Sequence, residues 1–288
     1  MSASPETSLA PVVLLTGGVR HELRATLVVW QREMIRFGRD RARIVSSFAQ
    51  PLLFLFVLGS GLSTLVGSRS GSVDFRTFLF PGVLATSVLF TAVFSGISMV
   101  WDREFGFLRE MMVAPVSNLA IVGGKCLGGA TVATVQSLVI VALAGLVGVP
   151  YSPVMIGELV LLLFLMSFLM TAMGLVLAAR VKSIQTAMPL VQLIITPMMF
   201  LSGSLFPLAG LPVWLSVVTR LNPLTYVVQP MRHLVLQRLD LTAAEQVRLL
   251  PAVSWFGWQV PTGVQLLTVA VVTVGLIGVA ARLFRTTE

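Results

Sequence analysis

From residue 44 onward the chain alternates between apolar runs of about twenty residues and short polar interruptions. Six of these runs read as membrane spans, near 44–66, 78–101, 119–147, 154–179, 184–205 and 262–281. About twenty apolar residues in a helix suffice to cross a hydrocarbon core of roughly 30 Å. The third run is overlong, which predicts a tilt or an interfacial turn, and Pro197 predicts a local break in the fifth. Ahead of the first span the spacing changes. Leu23, Leu27, Trp30, Met34 and Phe37 recur every three or four positions, with Arg24, Arg32, Arg36 and Arg39 on the other faces. That pattern predicts a basic amphipathic helix over 22–43, lying in the plane of an anionic leaflet. Residues 1–21 read as a flexible tail. No cleavable leader is expected there, because a basic start is missing and the apolar run is short.

Two interruptions are more than connectors. Trp101–Ser117 gathers Asp102, Arg103, Glu104, Arg109 and Glu110, with Phe105, Leu108 and Met112 at helical spacing. It is too polar to cross a bilayer and too short to be a domain. It predicts an amphipathic helix over 102–112 that docks on another protein. Phe206–Pro261 is punctuated by Pro207, Pro212, Pro223 and Pro230. It predicts short helices broken at Asn222-Pro223, partly sunk in the outer leaflet and packed on the spans, since irregular backbone at membrane depth must be satisfied by protein or by a water-filled cavity. The predicted fold class is an all-α membrane protein: six transmembrane helices, an N-terminal amphipathic interfacial helix, the 102–112 helix, and short outer-leaflet helices between spans five and six.

Composition agrees. The chain is 56% apolar and 11% charged, where soluble domains carry about 25% charged residues. A net charge of +8 would suit a nucleic-acid partner, but the basic residues are scattered through segments that flank apolar runs. Fourteen of the twenty Lys and Arg residues fall on the side of both termini and of 102–117, and four of the other six lie in the long loop 206–261. Both termini and the 102–112 helix are therefore expected in the cytoplasm.

Chemistry is scarce. A single cysteine, Cys126, and two histidines on opposite sides, His21 and His233, exclude a disulfide, a metal site and a catalytic dyad within one chain. The spans hold no Lys, Arg, Asp or His in their middles, so a proton-coupled antiporter would lack its relay. Gln50, Gln136 and Gln192 read as interhelical hydrogen bonds. Val122–Cys126 lacks the early glycine and the Ser or Thr of a phosphate loop. Gly124-xxx-Gly128 reads instead as a close helix contact. No enzyme and no cofactor are expected on this chain, which leaves a pore whose energy arrives from outside.

Five blocks point to a family: Phe80-Pro-Gly-Val-Leu84, Trp101–Glu110, Ala114-Pro-Val-Ser117, Leu201-Ser-Gly203 with Phe206-Pro207, and Asn222-Pro-Leu-Thr-Tyr226. In their order and spacing the chain resembles permeases of the ABC-2 family of ATP-binding-cassette exporters, of the daunorubicin-resistance and nodulation-factor type, from about residue 43 to 285. The resemblance implies a 44–285 transmembrane domain in a bacterial inner membrane. It further implies pairing with a second permease subunit, identical or related, and with two copies of a cytosolic ATPase that carries the ATP and Mg. It also implies that Asp102, Arg103, Glu104, Phe105, Gly106, Phe107, Leu108, Arg109 and Glu110 form a coupling helix docked in that ATPase. The charges would form rim ion pairs and the large apolar residues would anchor. Family architecture places spans two and five near the subunit interface, so Phe90 and Phe94 of span two, and Thr196, Met198, Met199 and Phe200 of span five, read either as the lining of a translocation path, where Met and Phe are adaptable and apolar, or as ordinary lipid-facing or core packing. Asn222, Pro223 and Tyr226 mark the outer re-entrant segment. The expected cargo is a drug, antibiotic or lipid-like metabolite. A polysaccharide or teichoic-acid precursor is the alternative, and few Tyr and Trp residues speak against it. A non-transporting sensor partner of an ATPase is a third reading.

Overall fold

A computed structural model describes residues 18–66, 74–106, 116–208, 211–239, 242, 245–246, 249–250, 254–255 and 258–285. Most of the expected tail (1–17), and residues 107–112 of the expected coupling helix, lie outside the described residues. The chain is an all-α, multi-pass membrane protein with six helices long and apolar enough to span.

The first helix, α1 (Val19–Arg39), ends at Asp40, and Arg41 already begins the next element. Span one is built of α2 (Arg41–Leu52), a π-helical segment (Leu53–Leu58) and α3 (Gly59–Val66). Pro51 lies inside α2 just before the π segment. A proline removes a backbone donor, and a one-turn π bulge is a common way to absorb the fault. Span two is α4 (Phe75–Glu104), capped by the Asp74 carboxylate on the Arg76 amide. Span three is α5 (Asn118–Ala142), capped by Ser117. Its overlong apolar run is not one helix: α5 gives way to a 3-10 turn (Ala144–Val147) and to Gly148 at φ 76°. Span four is α6 (Pro153–Arg180), span five α7 (Ile184–Leu201) and span six α10 (Thr262–Arg285). Between the last two come α8 (Val213–Leu221), α9 (Thr225–Leu236) and the two-residue strands β1 (Ser254–Trp255) and β2 (Trp258–Gln259). The strands pair antiparallel.

The expected break at Pro197 does not occur: α7 runs through both Pro189 and Pro197. Each proline forfeits one backbone bond, while an apolar surrounding penalises every other unsatisfied group and so holds the remaining turns helical. α7 ends at Leu201, and Gly203, at φ 75°, turns the chain away.

The bundle is organised around α4, which is buried along nearly its whole length and packs on α5, α6 and α9. Glycines set its tightest contact. A Cβ on Gly96 would stand 2.5 Å from the Thr171 carbonyl oxygen of α6, and one on Gly174 2.5 Å from that of Val93. Backbones this close favour dispersion packing, which largely replaces the hydrophobic effect between helices in lipid. Gly96→Val should therefore force the helices apart and cost about 2 kcal/mol, read as a lower midpoint of thermal unfolding in detergent. The Gly124-xxx-Gly128 stripe is a close contact too. Its occupant is α1, whose Thr26 and Val29 lie over Gly124 and whose Glu33 lies over Gly128. Span one, α7 and α10 contribute little to the core and leave most of their surface uncovered.

Candidate functional site

Three constellations lie along α4. The first is at the α1 end of the bundle. The face of α4 that buries Ser95 and Ser98 also buries Asp102 in the last turn. Lys125, in the second turn of α5, reaches across and forms ion pairs with Asp102 and, at 2.8 Å, with Glu33 of α1. Its ammonium also donates to Ser98 Oγ at 3.2 Å. Arg32 Nη2 and Arg36 Nη1 of α1 donate to the Asp102 carboxylate at 2.9 and 3.3 Å, and the Arg36 guanidinium stacks over Trp101. Three helices are thus locked by five charges with one positive charge in excess. The Lys125 ammonium is satisfied three times over, as a buried ion must be.

The neighbours of Asp102 are engaged as well. Arg103 Nη1 donates to the carbonyls of Ala178 at 3.3 Å and Val181 at 2.8 Å, at the end of α6, and its guanidinium lies over the Phe284 ring of α10. Glu104 Oε2 accepts from the Ile184 amide at 3.2 Å, a carboxylate at the N-terminus of α7, where the helix dipole favours it. Phe105, by contrast, is 71% exposed. Gly106, at φ 83°, ends the helix. This revises the expected 102–112 helix at its start: Asp102, Arg103 and Glu104 are the last turn of span two. Asp102 is shut away from any docking protein, and Arg103 and Glu104 are committed to internal partners. Phe107, Leu108, Arg109 and Glu110 lie outside the described residues.

The second constellation is a cavity of about 370 Å³ between spans one, two, three and five. Phe90 and Phe94 line it, with rings stacked at 6.5 Å. Hydroxyls and amides share the lining: Ser46, Ser47 and Gln50 of α2, Thr86, Ser87 and Thr91 of α4, and Gln136 of α5. Thr91 donates to Gln136 Oε1 at 3.2 Å, so Gln136 does join two helices as expected. Gln50 opens onto the cavity, whereas Gln192 bonds within its own helix, to Thr196. The expected path residues divide. Phe90 and Phe94 meet in the cavity; Thr196, Met198, Met199 and Phe200 lie near the other end of α7, and only Met188 represents that helix in the lining.

The third is the expected outer segment. Asn222 donates to the Met198 carbonyl at 2.7 Å, and its Oδ1 accepts from the Leu224 amide. With Pro223 this makes the break between α8 and α9. Tyr226 donates to the Arg220 carbonyl at 2.6 Å and accepts from the Trp255 indole at 2.8 Å. α8 is amphipathic, with Val213, Trp214, Val217 and Leu221 exposed. α9 packs on α4, α6 and α10, as expected of the outer segment, and carries a residue that charge counting tallied only as an outer charge: Arg232, 0% exposed. Its Nη2 donates to the carbonyls of Gly203 at 2.5 Å and Ser204 at 3.2 Å, and it lies 4.4 Å over the Phe78 ring. Burial pushes its pKa down to about 10, which still leaves it charged at neutral pH.

Curated relatives are similar to this chain over about three quarters of its length. Nodulation protein J of Rhizobium leguminosarum bv. trifolii is 30% identical over 214 residues, covering 73% of this chain and 80% of the relative. The putative transport permease ycf38 of Cyanophora paradoxa is 27% identical over 218 residues, 74% of each chain. Nodulation protein J of Rhizobium meliloti is 29% identical over 218 residues, 73% of this chain and 80% of that protein. The pattern that defines the ABC-2 type transporter matches residues 24–236, from the first turns of α1 to the end of α9, and the chain belongs to that family as a membrane transporter subunit.

Proposed function

We infer that this chain is the permease subunit of an ATP-binding-cassette exporter. It moves a hydrophobic or amphiphilic compound, such as a drug, antibiotic or lipid-like metabolite, out of the cytoplasm or the inner leaflet. ATP is hydrolysed on a separate cytosolic subunit, present in two copies beside two permeases, and no hydrolytic chemistry falls to this chain. The excess of Lys and Arg on the α1 side supports a cytoplasmic position for that end and for both termini, and the membrane proposed is a bacterial inner membrane. The little-covered faces of span one, α7 and α10 are available to a second permease and to lipid.

One observation carries the reading. An exposed phenylalanine, Phe105, stands where α4 leaves the bundle, directly after three charged residues that engage α1, α5, α6, α7 and α10. A partner that grips Phe105 and the residues after it holds a handle on five helices at once. Motion of two ATPases toward each other would reach the spans through Asp102, Arg103 and Glu104, which act inside the permease as a transmission. The phenylalanine-lined cavity suits an apolar cargo better than a carbohydrate chain, since both tyrosines, Tyr151 and Tyr226, lie toward the other end of the bundle.

The test is Phe105→Ala. An exposed side chain contributes little to the fold, so thermal stability should stay within about 0.5 kcal/mol. An aromatic anchor in a partner's pocket is worth about 2 kcal/mol or more. Co-purification with the ATPase should fall about thirtyfold, with stimulated ATP hydrolysis and export falling alongside. Export and ATPase stimulation that persist unchanged in the variant would remove the coupling role.

A further inference from the structure

α4 and α5 are longer than a bilayer requires, and the surplus lies at the α1 end. In α4 the rise from Arg76 to Asp102 is about 39 Å at 1.5 Å per residue, against a hydrocarbon core of roughly 30 Å. The ion cluster of Asp102, Lys125 and Glu33 therefore sits at the inner edge of that core or beyond it, where charge costs least. α5 starts seven residues before Lys125, at Asn118, so its Ser117 cap stands about 12 Å further out. The headgroup layer is only about 5–8 Å deep. The first turns of α5 project beyond it.

α1 starts at the same level. Ser117 Oγ accepts from the Ala120 amide, but Ala120 occupies the place where a capping box carries its Glu. Glu22 of α1 supplies the missing carboxylate, accepting from the Ser117 amide at 3.3 Å and from the Ser117 hydroxyl. Thr26 Oγ1 then donates to the Ala120 carbonyl at 3.3 Å, Val29 lies over Gly124, and Glu33 reaches Gly128 and Lys125. α1 climbs along α5 from Ser117 to the ion cluster, seated by its polar residues. The apolar ones are left over. Val19, Leu23 and Leu27, spaced four apart, are each more than half exposed, as is Leu119 beside them at the start of α5. Arg20 and Arg24 flank the stripe and are exposed too. Lipid would cover such a stripe within the leaflet. Beyond the headgroups it is an apolar centre with a basic rim, the anatomy of a protein interface.

We propose that Val19, Leu23 and Leu27, with Arg20 and Arg24 at their rim, form a second docking surface for the cytosolic ATPase, which meets them with an apolar groove edged by Asp and Glu. Continuity selects the occupant. The chain that leaves the bundle at Phe105 re-enters it at Ser117, and Ser117 is held by Glu22, the neighbour of Leu23. A protein that grips the chain at Phe105 and follows it to its re-entry meets the first turns of α1. Its motion then reaches α4 through Phe105, and α1 and α5 through the stripe. The identity of the partner rests on the exporter reading; the projection of α1 rests on the geometry alone.

Photocrosslinking reads the occupant directly. The permease, in lipid nanodiscs with its co-purified ATPase, carries p-benzoyl-phenylalanine in place of Leu23, of Phe105, or of Val271, an exposed residue of α10 that serves as the control. Positions 23 and 105 should each yield an adduct with the ATPase, identified by peptide mass and by binding of a labelled ATP analogue, and position 271 should yield none. Arg20→Glu made with Arg24→Glu should weaken retention of the ATPase about tenfold at low salt, and less as salt is added. Leu23→Asp should weaken it about tenfold at any salt. Thermal unfolding of the permease alone should not move in either variant, since the side chains are exposed. A lipid adduct at position 23 overturns the proposal, as does an adduct with a second copy of the permease. Retention unchanged by both variants does so as well. An ATPase adduct at 105 without one at 23 removes this surface and leaves the exporter reading standing, whereas no ATPase adduct at either position removes both.

Discussion

Lys125→Leu should unfold this protein more readily than any substitution of its arginine neighbours, at a cost of about 3–5 kcal/mol, because removing one partner of a buried ion pair leaves the other charged and dry. Burial decides the ranking. The side chains of Arg32 and Arg36 are 38% and 40% exposed, so water screens what they give and each is worth about 1 kcal/mol or less. The Lys125 side chain is 1% exposed and faces two carboxylates of similar burial. The cluster as a whole is a different matter from its members. Glu33→Gln, Asp102→Asn and Lys125→Met made together should cost less than Lys125→Leu alone, since no unpaired charge then remains inside. Thermal unfolding of the wild type, Lys125→Leu, the triple variant and an Arg36→Leu variant in one detergent gives the comparison. A Lys125→Leu cost below about 1 kcal/mol would mean that the ammonium stabilises nothing. A triple variant worse than the single would mean that the charges pull the helices together instead of merely tolerating one another.

This cluster was within reach of the sequence. Ser95, Ser98 and Asp102 fall on one face of a helix at spacings of three and four, and Lys125 stands beside glycines on the next span, where a helix can approach closely. Counting charges for topology hid it, because a residue tallied as cytoplasmic is not asked what it touches. The spans themselves were legible for the opposite reason: bilayer thickness imposes a length that no tertiary contact can alter, and the observed helices differ from the apolar runs chiefly at their ends. The stripe Phe105, Leu108, Met112 was continued into the same helix as Asp102. That helix ends at Glu104 with Phe105 as its cap, and Gly106 at φ 83° turns the chain away, so the three charges stay in the last turn of span two and Phe105 is left exposed at its edge.

The cavity was half legible. Phe90 and Phe94 were singled out by a family resemblance, and Gln136 by its rarity in an apolar run. What joins them is a depth match between α4, running from Phe75, and α5, running the opposite way from Asn118, and no local pattern encodes the pairing of Thr91 with Gln136. The α7 residues taken for the same path lie toward the other end of that helix. Met198 and Met199 offer their carbonyls to Asn222 and to Ser202 and Ser204, which ties them to the outer segment.

Arg232→Lys should be the more damaging of two changes at that position, costing about 3–4 kcal/mol where Arg232→Met costs about 1–2. The guanidinium is buried with its Nε and Nη1 unpartnered among the described residues. No carboxylate there pairs with it, and its support is two carbonyls and the face of Phe78. Lysine keeps the charge and loses the means of holding it: an ammonium does not stack flat on a ring, and it is more strongly hydrated, so its burial costs more. Methionine abandons the two carbonyl bonds and the cation–π contact, worth about 2 kcal/mol when desolvated. It also abolishes the burden of a dry, unpaired cation, and the two effects largely offset. The ordering matters for what α9 does. If lysine is the worse substitute, Arg232 works by shape, clamping the Gly203–Ser204 turn over α4 where a Cβ on Gly82 would collide with the Ser204 carbonyl. If methionine is the worse, the positive charge itself is what the outer end of the bundle keeps, and a transported or structural anion becomes the group to look for there.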